Sequence, residues 1–279
     1  MKIIAVGLAV AIGLTTLSSC SGEVGSEARI AKLRKLVEQE KYEAAIEEVN
    51  RLIPSRPTDS AVLFLGAKAY LAAGQADTAV SYAKKLTALY PEHLEGYRLL
   101  RTAADKIRDY DAEIWAVSQL AYKEGNRPKY YPELAELNFR RGQYGLSMAT
   151  CREILKNDPE NPQALFLLAN NMASVGLIDS AILIMEDLDR KNPEQVEIIS
   201  NLASYMATKR DYAQAAIHFQ RLTSLFPDYV PGWFGLGHMR LSLGDTTGAV
   251  TAYRQVYSRD SSFLGIDSIL HTLERSPIH

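Results

Sequence analysis

Leu63, Gly66, Ala67 and Tyr70 recur at the three- and four-residue spacing of one helix face. Gly74 interrupts them, and Ala76, Ala79, Ala83 and Leu86 then recur at the same spacing before Pro91 stops the run. The pattern predicts two amphipathic helices joined by a glycine turn. Glycine permits the left-handed conformation that ends the first helix, and proline prevents the second from continuing. Gly142, Gly176 and Gly244 mark the same interruption further along.

The hairpin recurs with a fixed period. Pro57, Pro91, Pro159, Pro193 and Pro227 are separated by 34, 68, 34 and 34 residues, and the two other points of that lattice, Gly125 and Ser261, hold residues that tolerate a turn. Ala45, Ala79, Ala181, Ala215 and Ala249 keep the same period, with Glu113 and Ser147 completing the series. Leu52, Leu86, Leu120, Ile154, Leu188, Leu222 and Val256 are apolar at every point. A hairpin of this size cannot bury its apolar stripe alone, so successive hairpins must stack. Residues 264–275, with Ile266, Ile269, Leu270 and Leu273 at helical spacing, predict an extra helix that closes the last apolar face.

The seventh unit, with Trp233, Leu236, Gly237, Ala249 and Tyr253, resembles the tetratricopeptide repeat (TPR). That family's signature is Trp-x2-Leu-Gly-x2-Tyr, then Ala-x3-Phe, then Pro, within 34 residues. The unit departs from it at Arg240, where Tyr is expected, and at Ser261, where Pro is expected. The fifth unit carries Leu168, Ala169, Met172, Ala181, Met185 and Pro193; the sixth carries Leu202, Ala203, Met206, Tyr212, Ala215, Phe219 and Pro227. The resemblance covers residues 26–263 without an insertion. It implies an all-α fold, a right-handed α-solenoid of about seven helical hairpins over residues 27–263 with no internal boundary, then a capping helix and tail over 264–279.

The same resemblance implies a concave wall of first helices that binds extended peptides or partner helices. Carried over residue by residue, the wall comprises Phe64, Lys68, Leu71, Arg98, Thr102, Asp105, Glu136, Phe139, Phe166, Asn170, Ser200, Ser204, Phe234, His238 and Leu241. The chaperone-binding members of the family clamp a partner's C-terminal carboxylate with lysine, asparagine and arginine. No repeat here carries the lysine-then-asparagine combination, which disfavours a co-chaperone.

The third repeat breaks the pattern. Small residues such as Ala67, Ala135, Ala169, Ala203 and Gly237 stand where the first helix approaches the second, but the third repeat places Arg101 and Glu113 at the two facing points. Two uncompensated charges there would each cost several kcal/mol. An ion pair between the helices is expected; local splaying that lets both reach water is the alternative.

The N-terminus reads as a processing signal. Residues 1–19 have a positive charge at Lys2, an apolar run over 3–17 and no acidic side chain, which matches a secretory signal peptide. The run is shorter than the roughly 20 residues of a membrane-crossing helix. Leu17, Ser18, Ser19 and Cys20 resemble a bacterial lipobox, in which the cysteine is lipidated and becomes the new N-terminus; a plain secretory signal with an incidental cysteine is the alternative. Residues 20–26 would be the lipidated end and a short flexible tether reaching at most about 20 Å. Ser21 is not the aspartate of the best-known inner-membrane retention rule, so an outer-membrane, periplasm-facing lipid anchor carrying palmitate or a similar chain is expected.

Composition narrows the chemistry. The chain has 279 residues with 31 basic and 33 acidic side chains, and it lacks the basic excess that drives nucleic-acid binding. Two cysteines rule out a disulfide framework, and Cys151, in an apolar second-helix position, reads as core. The five histidines show no pairing with Cys, Asp or Glu at metal-ligand spacing, and no phosphate loop or nucleophile elbow appears. No enzyme activity, metal or cofactor is expected.

The expected function is a membrane-anchored scaffold for protein partners in an envelope assembly, secretion or peptidoglycan-related complex. The alternative is a lipoprotein that captures a peptide or oligosaccharide in the groove. Aromatic platforms on adjacent repeats would mark that alternative, whereas Phe64, Phe166 and Phe234 fall in the second, fifth and seventh, which favours the scaffold.

Overall fold

The computed structural model describes residues 17–275; the first 16 residues of the expected signal segment and residues 276–279 lie outside. The helices come in seven consecutive hairpins. These are α1 (Leu17–Glu38) with α2 (Tyr42–Leu52), α3 (Ser60–Ala72) with α4 (Ala76–Leu89), and α5 (Leu94–Ile107) with α6 (Tyr110–Lys123). Then follow α7 (Arg127–Arg140) with α8 (Tyr144–Asn157), α9 (Pro162–Ser174) with α10 (Ile178–Lys191), α11 (Val196–Thr208) with α12 (Tyr212–Leu225), and α13 (Val230–Ser242) with α14 (Thr246–Arg259). A 3-10 turn (Phe263–Gly265) leads into α15 (Ile266–Arg275). The described residues contain no strand, and no described helix is long and apolar enough to cross a membrane.

Every hairpin turns at one point of the 34-residue lattice. Glu40, Gly74, Arg108, Gly142, Gly176, Arg210 and Gly244 all have positive φ, between 57° and 85°. The next residue then donates its amide to the carbonyl five back, as in Gln75 to Tyr70 at 2.8 Å and Asp109 to Ala104 at 3.0 Å, which satisfies a helix-end carbonyl. Glu40, Arg108 and Arg210 bear a left-handed strain of roughly 1–2 kcal/mol that the glycines avoid. Several second and first helices start on an acidic or amide cap: Asp109 accepts from the Ala112 amide, Asn161 from Ala164, Asp211 from Gln214 and Asp245 from Gly248.

The small facing positions are buried as the pattern requires. Ala67, Ala135, Ala169 and Ala203, and opposite them Ala45, Ala79, Ala181, Ala215 and Ala249, are fully inaccessible. Ser147 joins that series because its hydroxyl has partners: it donates to the Ala135 carbonyl at 2.7 Å and accepts from Asn171 Nδ2 at 2.8 Å. The last face is closed by α15, whose Ile266 and Leu270 pack with Tyr253 and Val256. Leu264, by contrast, is 67% exposed with φ 44°, so the closing helix begins two residues later than its apolar pattern suggests.

Although the lattice runs on unbroken, the chain divides into two compact units, with the boundary at Tyr130 and Tyr131. The first has one continuous core, from Ile30 and Leu33 of α1 to Ala112 and Ala116 of α6. The second is built around Cys151 and Leu168, then Met185 and Leu202, then Phe219 and Leu236, then Tyr253 and Ile266. Pro132, inside α7, withdraws one helical hydrogen bond close to that boundary.

The segment 20–26 differs from the flexible tether expected of it. It lies within α1, which is continuous from Leu17, so its seven residues rise about 10 Å as helix. The side chain of Cys20 lies outside the described residues.

Candidate partner-binding site

In the second unit the first helices α7, α9 and α11 surround a cavity of about 860 Å³. Four of the wall residues expected from the sequence meet there: Glu136 and Phe139 of α7, and Phe166 and Asn170 of α9. These positions come together because they share one face of consecutive first helices, 34 residues or one helical turn apart. On the second helices the half-buried Ile154 joins the lining, with the buried Cys151 and Leu188 close by.

The rim is polar. Asn161, Gln163, Asn192 and Gln195 contribute from helix starts and the preceding turns, and Glu197 stands exposed at the start of α11. None of the residues lining the cavity is Lys, Arg or His. Sequence periodicity does not reveal these rim residues, because a helix period fixes which apolar positions are buried and says nothing of polar turns. A scan for side chains within one turn of each helix start would have found them.

Hydrogen bonds make the wall rigid. Asn170 Oδ1 accepts from Asn201 Nδ2 at 2.9 Å and from the Tyr205 hydroxyl, which joins α9 to α11. Burial pushes the Tyr205 phenol up to about 12, so it stays a donor. Behind the cavity, the fully buried Asn171 ties α9 to Ser147 of α8, and Ser147 in turn holds α7. Cys151 is inaccessible and burial pushes its thiol up, which keeps it protonated and unreactive. Glu136 is bridged to Arg140 on its own helix at 2.9 Å, and Phe139 packs on Tyr144.

The remaining wall residues are not gathered into this cavity. Ser204 donates back to the Ser200 carbonyl of its own helix. Phe234 and His238 turn into an aromatic end cluster: Phe234 meets His238, Tyr253 and Phe263 at 5.0, 5.8 and 5.4 Å between ring centroids. Tyr253 hydrogen-bonds His238 Nδ1 at 2.8 Å. Leu241 is exposed beyond that cluster.

In the first unit, Lys68 sits 5.7 Å over the Phe64 ring, and that ring also packs on His93. Leu71 packs on the core, and Thr102 donates to the Arg98 carbonyl. Asp105 is exposed. Arg98 pairs with Glu95 and, at 2.6 Å, with Glu124. Hydrogen bonds from Lys129, Tyr130 and Arg98 hold the Glu124 carboxyl down at about 2. Glu113 is 6% exposed on α6, and Arg101 is half-buried on the facing helix α5.

The sequence pattern also gave no sign of Glu48. Its side chain is 2% exposed and lies 2.8 Å from Lys32 Nζ, with Arg29 and Arg51 each at 3.4 Å. Burial opposes ionisation there, but the Lys32 hydrogen bond and the three cations outweigh it and hold the carboxyl below the usual range.

Two stretches, residues 61–93 and 201–262, match models described as tetratricopeptide repeat. Those stretches are tetratricopeptide repeats. Among curated proteins, the chain is similar to the general transcriptional corepressor trfA of Dictyostelium discoideum, 34% identical over 82 residues. That match covers 29% of this chain and 6% of the relative's length. Among solved structures, one similar chain is a tetratricopeptide repeat protein from Parabacteroides merdae, 13% identical, covering 89% of this chain and 98% of that one, TM-score 0.53. Another is the C-terminal part of a TPR repeat-containing protein from Cytophaga hutchinsonii, 12% identical, covering 86% and 98%, TM-score 0.59. At such identities the structures speak to the fold alone, an all-helical architecture of stacked hairpins; tetratricopeptide repeats such as those matched at 61–93 and 201–262 mediate protein–protein interaction.

Proposed function

We propose that the protein is a TPR scaffold held at the outer membrane, facing the periplasm, by lipid on Cys20, and that it gathers protein partners of an envelope assembly, secretion or peptidoglycan-related complex. The cavity between α7, α9 and α11 carries this reading: an apolar floor, two aromatic anchors and a polar rim are the anatomy of a protein-binding hot spot. The lipobox-like run Leu17, Ser18, Ser19 and Cys20 supports the anchor. A cysteine inside α1 would seat the first hairpin directly above the lipid, and two or more acyl chains hold firmly where one is marginal.

A photocrosslinking amino acid at Phe166, used in intact cells and followed by identification of the adducts, tests the scaffold. Protein adducts are expected, and their complete absence overturns it. Labelled palmitate should enter the wild-type chain and not Cys20→Ala; persistence in that variant removes the anchor.

One observation favours the second reading, a lipoprotein that captures a peptide or oligosaccharide. Phe139 and Phe166, from consecutive repeats, share one cavity, whereas the sequence pattern alone scattered the aromatic platforms over distant repeats. Recovery of saccharides without proteins would favour it.

A further inference from the structure

We infer that the cavity between α7, α9 and α11 selects an extended peptide segment in which a large apolar side chain is flanked by lysine or arginine. The inference rests on the protein-binding reading above and names what that site takes.

The apolar lining sets the first part. Phe139, Phe166, Leu167 and the half-buried Ile154 present apolar surface on one open face. A large apolar side chain covers that surface, and Phe139 and Phe166 would flank it. Charge sets the rest. The lining contains the carboxylates of Glu136 and Glu197 and no cation. Arg140 already engages Glu136 from its own helix, which leaves Glu197, exposed at the start of α11, as the principal acceptor. A negatively charged segment would meet the like charge of Glu197, which suppresses acidic sequences. A cation also gains from the negative faces of the two phenylalanines. The rim carboxamides each donate and accept, which suits the alternating N–H and C=O groups of an extended backbone.

The test is a positional-scanning array of octapeptides with a fixed central leucine or phenylalanine and randomised flanks, probed with the purified full chain in detergent. Enrichment of lysine and arginine at the flanks is expected. For the best peptide, affinity should fall with added salt. The double variant Glu136→Gln and Glu197→Gln should weaken binding about five- to tenfold while its thermal melting stays unchanged, as suits exposed charge pairs. Phe166→Ala should weaken binding of every peptide. Enrichment of acidic or neutral flanks, or an unchanged affinity in the double variant, overturns the basic-segment inference and leaves the groove reading standing. An array with no enrichment at any position overturns both.

Discussion

The substitution Gly237→Ala separates local helix preference from tertiary packing, because the two predict opposite signs. Alanine at an interior helix position gains about 1 kcal/mol over glycine from intrinsic propensity alone. Here the added Cβ would sit 2.6 Å from Tyr253 Cε1 and 2.7 Å from Cδ1, where ordinary contact begins at 3.4 Å, so the ring must withdraw by nearly 1 Å. It has nowhere to go. Tyr253 is fully inaccessible, its ring packs on Phe234, and its hydroxyl is held by His238 Nδ1 at 2.8 Å. Overpacking of this kind costs about 1–3 kcal/mol, and displacement of the hydroxyl adds about 1 kcal/mol for the lost hydrogen bond. Setting the propensity gain against these, the variant should be destabilised by about 1–3 kcal/mol.

The measurement is chemical denaturation followed by fluorescence of Trp233, which lies on the same helix, since a stacked array loses its terminal hairpin locally and a whole-chain signal would blur the effect. The repeat lattice supplies its own rescue. Two repeats earlier the equivalent pair is Ala169 and Met185, both fully buried. Tyr253→Met on the Gly237→Ala background should therefore recover much of the loss, because the flexible thioether fills what space the alanine leaves. A neutral or stabilising Gly237→Ala, or a double variant no better than the sum of the single changes, would refute the packing account.

Three further outcomes follow from buried polar groups. Since Glu113 is the more buried of the facing pair, Arg101→Ala should cost roughly 3–5 kcal/mol by stranding a carboxylate, and the double change to alanine should restore most of it; strictly additive losses in that cycle sink the pairing. Glu48 has its carboxyl held below its ordinary 4.5, so it contributes stability above that pH that is lost as pH falls through its lower folded value. Glu48→Gln should flatten the fall in denaturant midpoint as pH drops below 4.5, and an acid limb as steep as wild type would show that Glu48 is not its source. Cys151, inaccessible and with its thiol raised, should resist iodoacetamide in the native chain at about pH 8 and react on unfolding. Labelling at the unfolded rate under native conditions would contradict its burial.

The fold was legible because one period governs both the apolar stripe and the punctuation. Seven aliphatic points in phase leave little choice but stacked hairpins, and Ile266 and Leu270 close the last face as their spacing implies. The turn signal was only partly legible. A search for glycine finds Gly74, Gly142, Gly176 and Gly244 but passes over Glu40, Arg108 and Arg210, which adopt the same left-handed conformation because the cap hydrogen bond demands it whatever the side chain. The grouping of wall residues was legible where it depended on a single helix face: Glu136, Phe139, Phe166 and Asn170 do converge. At the chain's end the grouping differs, because Phe263 folds back from a 3-10 turn that no helical period anticipates and packs on Phe234, which also meets His238.

Departures from the repeat are informative in sets more than singly. A buried hydroxyl needs a partner, so Ser147 in an alanine series implies a polar group nearby, and Asn171 supplies it from a position off the lattice, 24 residues away. Gly237 stands against Tyr253, where the fourth and fifth repeats pair Ala135 with Cys151 and Ala169 with Met185 and the sixth pairs Ala203 with Phe219. Arg101 and Glu113 break the small-residue rule in the same hairpin. A polar or oversized intruder is costly at a helix interface unless something across it compensates, which Asn171 does for Ser147 and Gly237 for Tyr253; the Arg101→Ala cycle tests whether Arg101 does so for Glu113. The cavity is no departure from the repeat: Ala135 is the small facing residue that the pattern expects, and what sets this face apart is that Phe139 and Phe166 stand together on it beside Glu136 and Asn170. Aromatic anchors inside a polar rim are what a protein partner grips, which is why the wall of α7, α9 and α11 is where binding is to be sought.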